Sequence, residues 1–202
     1  MYAIQGWLFN HEGTRRGEEF VTRKITKGVV HIAREMHHGK EIIPLELGNV
    51  DAKRDWSDAE DCVVAVWKML NQDVYNSSIE WMDIEGHKQG YSEESVLKDI
   101  AAAVKEYVVS SGENHTVREF VEEAFNIAGI EGTWVGKGID EKFLWGKDEP
   151  SDVLVKINPT YYRPAEVDAL LGNSSKIKKE LGWTPTTTFK QLVKKMVEND
   201  MK

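Results

Sequence analysis

Cysteine occurs once in the 202 residues, at Cys62, which excludes an internal disulfide framework and fits a reducing compartment. Its place in an apolar helical run marks it as a packing residue rather than a nucleophile. No apolar run approaches the roughly 18 residues that a membrane span needs. Met1-Tyr2-Ala3-Ile4-Gln5 has no basic region and no signal-peptide pattern, so a cytoplasmic protein is expected. Basic charge is in deficit: the formal net charge of -8 argues against a general nucleic-acid surface, which needs clustered cations. Chemical signatures are missing too. There is no glycine-rich dinucleotide fingerprint, phosphate loop or nucleophile elbow, and no tyrosine has a lysine four residues on. His31, His37 and His38 are close in sequence but lack a metal-ligand pattern, and a solvated helix end explains them. The sequence therefore assigns neither a catalytic residue nor a metal site.

What is present is enough for a folded core. The hydrophobic content of 41% and charged content of 30% are ordinary for a globular chain of this length. An acidic protein that binds an anion must gather its cations locally, which makes basic loops informative. The first such loop follows the apolar run Ile4–Phe9, expected to be a buried strand, and contains Asn10, His11, Gly13, Arg15, Arg16 and Gly17 before a helix carrying Lys24. Open α/β sheets place ligands beyond the C-terminal ends of their strands, and arginine forks suit phosphates. A plain strand, a solvated loop and an amphipathic helix account for the same residues. Two further loops repeat the pattern, Lys53-Arg54 and Arg163 with Glu166. Together the three would suit a diphosphate-containing ligand, with Glu166 accepting from sugar hydroxyls. For Arg163-Pro164 alone, a helix-terminus device with a local ion pair serves equally well.

Periodicity supplies the rest of the frame. Val21, Ile25, Val29, Ile32 and Met36 make one stripe of a helix over 20–37, ended by Gly39. A short strand is expected within 41–47, and a helix capped by Ser57 or Asp58 that buries Val63, Val66, Trp67 and Leu70. Tyr107–Gly112 reads as a strand and turn, and Thr116 with Glu119 as a capping box. Trp134 and Val135 suggest a strand, with a glycine- and charge-rich connection after them through Pro150. Asp152–Ile157 reads as a half-buried strand, and a short helix is expected after Pro164. Ser174 and Thr188 should cap the last two helices, the final one with Phe189, Leu192, Val193, Met196 and Val197 inward.

Long collinear motifs then carry a resemblance. Leu8-Phe9-Asn10-His11-Glu12 with Arg15-Arg16-Gly17, Phe20-Val21-Thr22-Arg23-Lys24-Ile25, Leu47-Gly48-Asn49-Val50-Asp51-Ala52-Lys53-Arg54-Asp55-Trp56, Tyr161-Tyr162-Arg163-Pro164-Ala165-Glu166-Val167-Asp168 and Leu181-Gly182-Trp183-Thr184-Pro185 resemble the GDP-mannose 4,6-dehydratases. These are extended short-chain dehydrogenases/reductases. The resemblance covers the chain except about residues 74–105, expected to be a surface insertion in which Trp81 and Met82 could mark a contact surface.

The resemblance implies a mixed α/β substrate-binding domain together with the last strands and a helix of a truncated Rossmann domain. Residues 1–19 would close that sheet and form the ligand-edge loop, and 20–202 would bind substrate. The helix at 57–71 and the strand at 107–112 would belong to the Rossmann half. In the family, C4 of GDP-mannose is oxidised with hydride transfer to NADP, water is lost across C5 and C6, and the hydride returns to C6. Carried over by motif, His11 and Arg16 would contact NADP, while Asn10, Lys24, Arg54, Arg163 and Glu166 would hold GDP-mannose. The glycine fingerprint, catalytic Thr and Glu, and Tyr-x-x-x-Lys of the family all precede the strand near Tyr2. The expectation is a nucleotide-sugar-binding half without turnover alone, either a piece of a dehydratase or one partner of a split enzyme. A GDP-sugar-binding regulatory module is the alternative. A homo-oligomer, dimer or tetramer, is expected from the family, and exposed apolar sheet edges should favour association.

Overall fold

The computed structural model describes residues 4–71, 105–146, 152–162, 167 and 169–202. The insertion, all but its last residue, therefore lies outside the described residues, as do Arg163 and Glu166 and most of the short helix expected after Pro164.

In chain order the elements are β1 (Gln5–Leu8), β2 (Asn10–Glu12), α1 (Val21–His37), β3 (Leu45–Leu47), β4 (Lys53–Arg54), β5 (Trp56–Asp58) and α2 (Ala59–Leu70). After the insertion come β6 (Glu106–Val109), β7 (His115–Thr116), α3 (Val117–Ile127), β8 (Gly132–Val135), β9 (Lys142–Trp145), β10 (Val153–Ile157), α4 (Ser175–Leu181) and α5 (Phe189–Met201). This is the expected mixed α/β class.

Two cores share the work. The larger is built on a four-stranded sheet of order β3-β10-β9-β8, in which β3 and β10 run parallel and β9 is antiparallel to both its neighbours. Helices α1, α3 and α5 pack against one another beside it, because each presents one apolar stripe. Phe189, Leu192, Val193, Met196 and Val197 are all buried, as their spacing predicts, and each stabilises the fold by about 1.5–3 kcal/mol. Of the predicted caps, Thr116 with Glu119 and Thr188 with Gln191 form reciprocal side-chain bonds and Asp58 accepts from the Glu60 amide, whereas Ser174 makes no side-chain cap bond and the Ser175 amide donates to Asn173 Oδ1 instead. The strand expected within 41–47 shortens to Leu45–Leu47, after Pro44. Sequence reasoning missed β9: Phe143 is buried against Phe125 and Trp134, which holds an otherwise polar connection in the sheet.

The smaller core lies around a parallel pair, β1 and β6, with register Gly6 to Tyr107 and Leu8 to Val109. It contains Cys62, Ala65, Met69, Tyr107, Val109, Ile177 and Trp183. Two expectations fail here. Ile4–Phe9 contains a strand, but Gln5–Leu8 are all exposed, with Trp7 at 52%. Helix α2 turns the other way: Val63, Val66, Trp67 and Leu70 face solvent, and Asp61, Cys62, Ala65 and Met69 face inward.

Asp61 explains the rotation. Its carboxylate accepts from the Thr186 amide (3.0 Å), the Thr186 hydroxyl (2.6 Å) and the Thr187 amide (2.9 Å), while its carbonyl accepts from Trp183 Nε1. Burial pushes this carboxyl up, yet the bonds from Thr186 and Thr187 outweigh it and hold it below its ordinary 3.8. An acid lowered by folding stabilises the fold above its ordinary value and loses that contribution as pH falls through the folded value. Asp61→Asn, which can accept through only one oxygen, should cost about 2 kcal/mol in urea unfolding at neutral pH and flatten the acid limb of stability. An unchanged midpoint would show that α2 is oriented by packing alone. Cys62, beside it, is buried and its thiol is pushed up to about 12, which suits a packing residue.

Candidate ligand-binding site

The loop after β1 is held in place by a buried acid. Strand β2 pairs in parallel with β5, Asn10 opposite Trp56 and Glu12 opposite Asp58, which fixes Asn10 and His11 beside the start of α2. Glu12 is 2% exposed; its Oε2 accepts from Thr22 Oγ1 at 2.6 Å and lies 3.1 Å from Arg16 Nε. Burial pushes the Glu12 carboxyl above the usual range, against the pull of Thr22, Arg16 and His11. The Arg16 guanidinium stacks on Phe20 at 3.5 Å, so a carboxylate and an aromatic ring set its direction. Arg23 donates to the Thr14 carbonyl and ties the loop back to α1.

Asn10, His11 and Arg16 meet in a groove of about 380 Å³, with Leu8, Phe9 and Leu170 as its apolar wall. His11 Nδ1 lies 3.1 Å from the Phe9 carbonyl oxygen. That contact requires a proton on Nδ1, so Nε2 carries the lone pair in the neutral ring.

Lys24 lies on α1, with its ammonium 3.9 Å from the centre of the Tyr161 ring. Burial pushes the Lys24 ammonium down, and the nearby Glu46 charge partly restores it. Tyr161 takes this position because Gly48 has no side chain: a Cβ there would lie 2.4 Å from the Tyr161 carbonyl oxygen. Arg54 stands opposite His115 in the β4–β7 pair and donates to the carbonyls of Lys53 (2.8 Å) and Val167 (2.7 Å).

Described residues on either side of the third loop therefore touch the first two. Tyr161 meets Lys24, Val167 receives Arg54, Ala169 bridges Lys53 and Leu170 walls the groove of Asn10, His11 and Arg16. This part of the chain is anchored at Gly172, whose amide donates to Asp55 Oδ2 at 3.1 Å. Asp55 is fully buried and also accepts from the Ser111 amide (2.8 Å), the Ser111 hydroxyl (2.6 Å) and the Gly112 amide (3.0 Å). A Cβ on Gly172 would stand 2.3 Å from Ser110 Cβ, so only glycine allows this approach. Asn10, His11 and Arg16 form one group; Lys24 meets Tyr161 and Arg54 meets Val167, in the same part of the chain as Leu170 of the groove, while Arg163 and Glu166 lie outside the described residues. Tyr161, Glu12 and Asp55 were absent from the sequence-derived site. Each lies in a motif quoted above; Glu12 meets Arg16 and Thr22 nearby in sequence, whereas the partners of Tyr161 and Asp55 are reached only in the fold. Among the described residues no group of acids, histidines and cysteines has a metal-binding arrangement, and no helix is long and apolar enough to cross a membrane.

Comparison with known proteins decides the family. The family model for GDP-mannose 4,6 dehydratase matches residues 1–91 and 86–196. The chain belongs to that family. A GDP-mannose 4,6 dehydratase of Drosophila melanogaster is 43% identical over 201 residues, which is all of this chain and 42% of the relative. A GDP-mannose 4,6-dehydratase of Vibrio cholerae is 39% identical, again over the whole chain and 47% of its own length. The chain thus spans less than half of these family members. The fold is shared with RMD from Pseudomonas aeruginosa complexed with NADPH, at TM-score 0.60 and 20% identity over 98% of this chain and 47% of that one. It is shared also with Thermus thermophilus UDP-glucose 4-epimerase in complex with NAD, at TM-score 0.59 and 16% identity over 98% and 46%.

Proposed function

We propose that the chain is the GDP-sugar-holding half of a GDP-mannose 4,6-dehydratase, an NADP-dependent lyase. The observation that carries this reading is that Tyr161, Val167 and Leu170, within ten positions of one another, touch Lys24, Arg54 and the groove of Asn10, His11 and Arg16 in an otherwise acidic protein. Lys24 has the marks of a diphosphate contact: a half-buried ammonium whose charge is costly gains most from a nearby anion. Tyr161 presents its ring beside that ammonium and can flank a base or sugar. Arg54 holds Val167, and in this reading Arg163 and Glu166, between Tyr161 and Val167 in sequence, complete the GDP and mannose contacts.

The groove suits a nicotinamide cofactor. It offers a guanidinium for a phosphate, apolar walls at Leu8, Phe9 and Leu170 for a ring, and Asn10 with His11 Nε2 for polar edges. When bound, the nicotinamide supplies the acceptor and donor of the hydride. The chain's own residues bind and orient: Glu12 and Phe20 aim Arg16, and Leu170 supplies one apolar wall. The proposal includes a cytoplasmic location and an assembly of more than one copy, as dimer or tetramer.

Turnover in this reading needs the complementary half. The chain incubated with NADP and GDP-mannose should form no 4-keto product, and adding the complementary half of a family member should restore it. Product from the chain alone would overturn the division of labour. No product from the completed assembly, with GDP-mannose still bound, would favour a non-catalytic binding module.

A further inference from the structure

The last turn of α5 is gripped by one side of α1. Arg23 Nη2 stands 2.8 Å from Asp200 Oδ1, and Thr26 Oγ1 donates to Asp200 Oδ2 at 2.7 Å. Farther along α1, Arg34 Nη2 donates to the carbonyls of Asp200 (3.2 Å) and Met201 (3.1 Å). Helical spacing puts Arg23, Thr26 and Arg34 on the same side of α1. The Asp200 side chain is 4% exposed and that of Arg23 12%, so their ion pair is largely sealed from water.

Arg23 does more than join two helices. Its Nη1 donates to the Thr14 carbonyl, in the loop that carries Arg16, while its Nε is buried with no hydrogen-bond partner among the described residues. The planar fork of a guanidinium can serve two acceptors at once, here a carboxylate on α5 and a loop carbonyl. The loop needs such a tie. Glycines stand at both of its ends, Gly13 and Gly17, and its own turn bond runs from the Arg16 amide to the Gly13 carbonyl at 3.0 Å. Glu12 holds the Arg16 side chain, and Arg23 holds the backbone beside it.

Asp200 decides whether that backbone tie exists. A guanidinium kept from water is stable there only while its charge is matched; without the carboxylate it turns to solvent and gives up the Thr14 bond. We propose that Asp200 is a positioning residue of the groove: through Arg23 it fixes the loop 13–17, and with it the place of Arg16. Asp200 does not line the groove itself, so its effect on a ligand passes through the loop. The consequence for NADP rests on the reading of the groove given above, whereas the hold on the loop does not.

Trypsin reads the loop directly, because Arg15 and Arg16 lie in it. In the 202-residue chain, Asp200→Asn should speed cleavage after these residues about tenfold relative to cleavage elsewhere. Arg23→Lys should do the same with its circular dichroism unchanged, because a single nitrogen can keep Asp200 without also reaching Thr14. Asp200→Glu, which retains the carboxylate, should leave the loop protected. Thr188→Ala, which removes the cap at the other end of α5, should lower the thermal midpoint without singling out the loop. In the assembly completed by the other half, Asp200→Asn should raise the Kd for NADP about tenfold, and an Arg16→Ala background should erase that difference. Unchanged loop cleavage in both Asp200→Asn and Arg23→Lys would overturn the proposal, as would the same loop cleavage in Thr188→Ala, or losses that add to those of Arg16→Ala. A freed loop together with an NADP affinity indifferent to Arg16→Ala itself would uphold the hold on the loop and overturn the cofactor reading instead.

Discussion

Asp55→Ala should lower the unfolding free energy by on the order of 4 kcal/mol, a large share of the roughly 5–15 kcal/mol that holds a domain together. The carboxylate accepts from three backbone amides and a hydroxyl, with no exposure to water, and removing it strands donors that cost about 1–3 kcal/mol each. Asp55→Asn should cost about half as much, because one oxygen survives. The loss should also reach the site, since Gly172 anchors the stretch that carries Leu170, Val167 and Tyr161. Urea unfolding of the two variants checks the first part. A cost under about 1 kcal/mol for alanine would mean that the turn at Ser111-Gly112 and the Gly172 approach are held by packing alone.

Arg16→Ala should weaken NADP binding about 100-fold in the assembly completed by the other half of the enzyme, the worth of a charge-assisted phosphate contact of about 2.7 kcal/mol. Glu12→Gln should be milder, about tenfold, because it leaves the cation and removes only the group that aims it. The pair separates two roles. Arg16 as a cofactor contact predicts that the alanine effect shrinks as salt rises, whereas a purely structural Arg16–Glu12 pair predicts equal losses for both variants and a matching fall in stability. Acid adds a further sign. Burial raises the Glu12 carboxyl, so the folded chain takes up this proton more readily than the unfolded one. The contribution of Glu12 to stability therefore falls as pH rises from its ordinary 4.5 through the folded value, and Glu12→Gln should abolish that slope.

How far the fold could be read from the chain depended on how many faces of an element were apolar. Helix α5 has one stripe, and its five inward residues were legible from spacing alone. Helix α2 has two candidate faces, and the larger side chains at Val63, Val66, Trp67 and Leu70 outweigh Cys62, Ala65 and Met69 in any periodicity count. What decides between them is Asp61, bonded to Thr186 and Thr187 across 125 and 126 positions, a distance that local pattern cannot span. Strand β9 was hidden for a different reason, as Lys142–Trp145 is four residues long and flanked by glycine and charge.

The site divides in the same way. Asn10, His11 and Arg16 stand within seven positions of one another, so a single loop reveals them, and the structure gathers them in one groove. Lys24 and Arg54 were legible as cations in or beside turn loops, but the residues that meet them, Tyr161 and Val167, are more than a hundred positions away. Asp55, whose partners are 56, 57 and 117 positions distant, carries no sign in its neighbours that it is buried.

The central claim, that this chain holds a GDP-sugar by itself, is tested most directly by calorimetric titration of the 202-residue chain with GDP-mannose, with Lys24→Met beside it. One-site binding of GDP-mannose is expected, weakened at least tenfold in Lys24→Met, while the variant's thermal midpoint stays within a few degrees of the parent. No heat from the parent chain at millimolar GDP-mannose, or equal affinity in Lys24→Met, would contradict it.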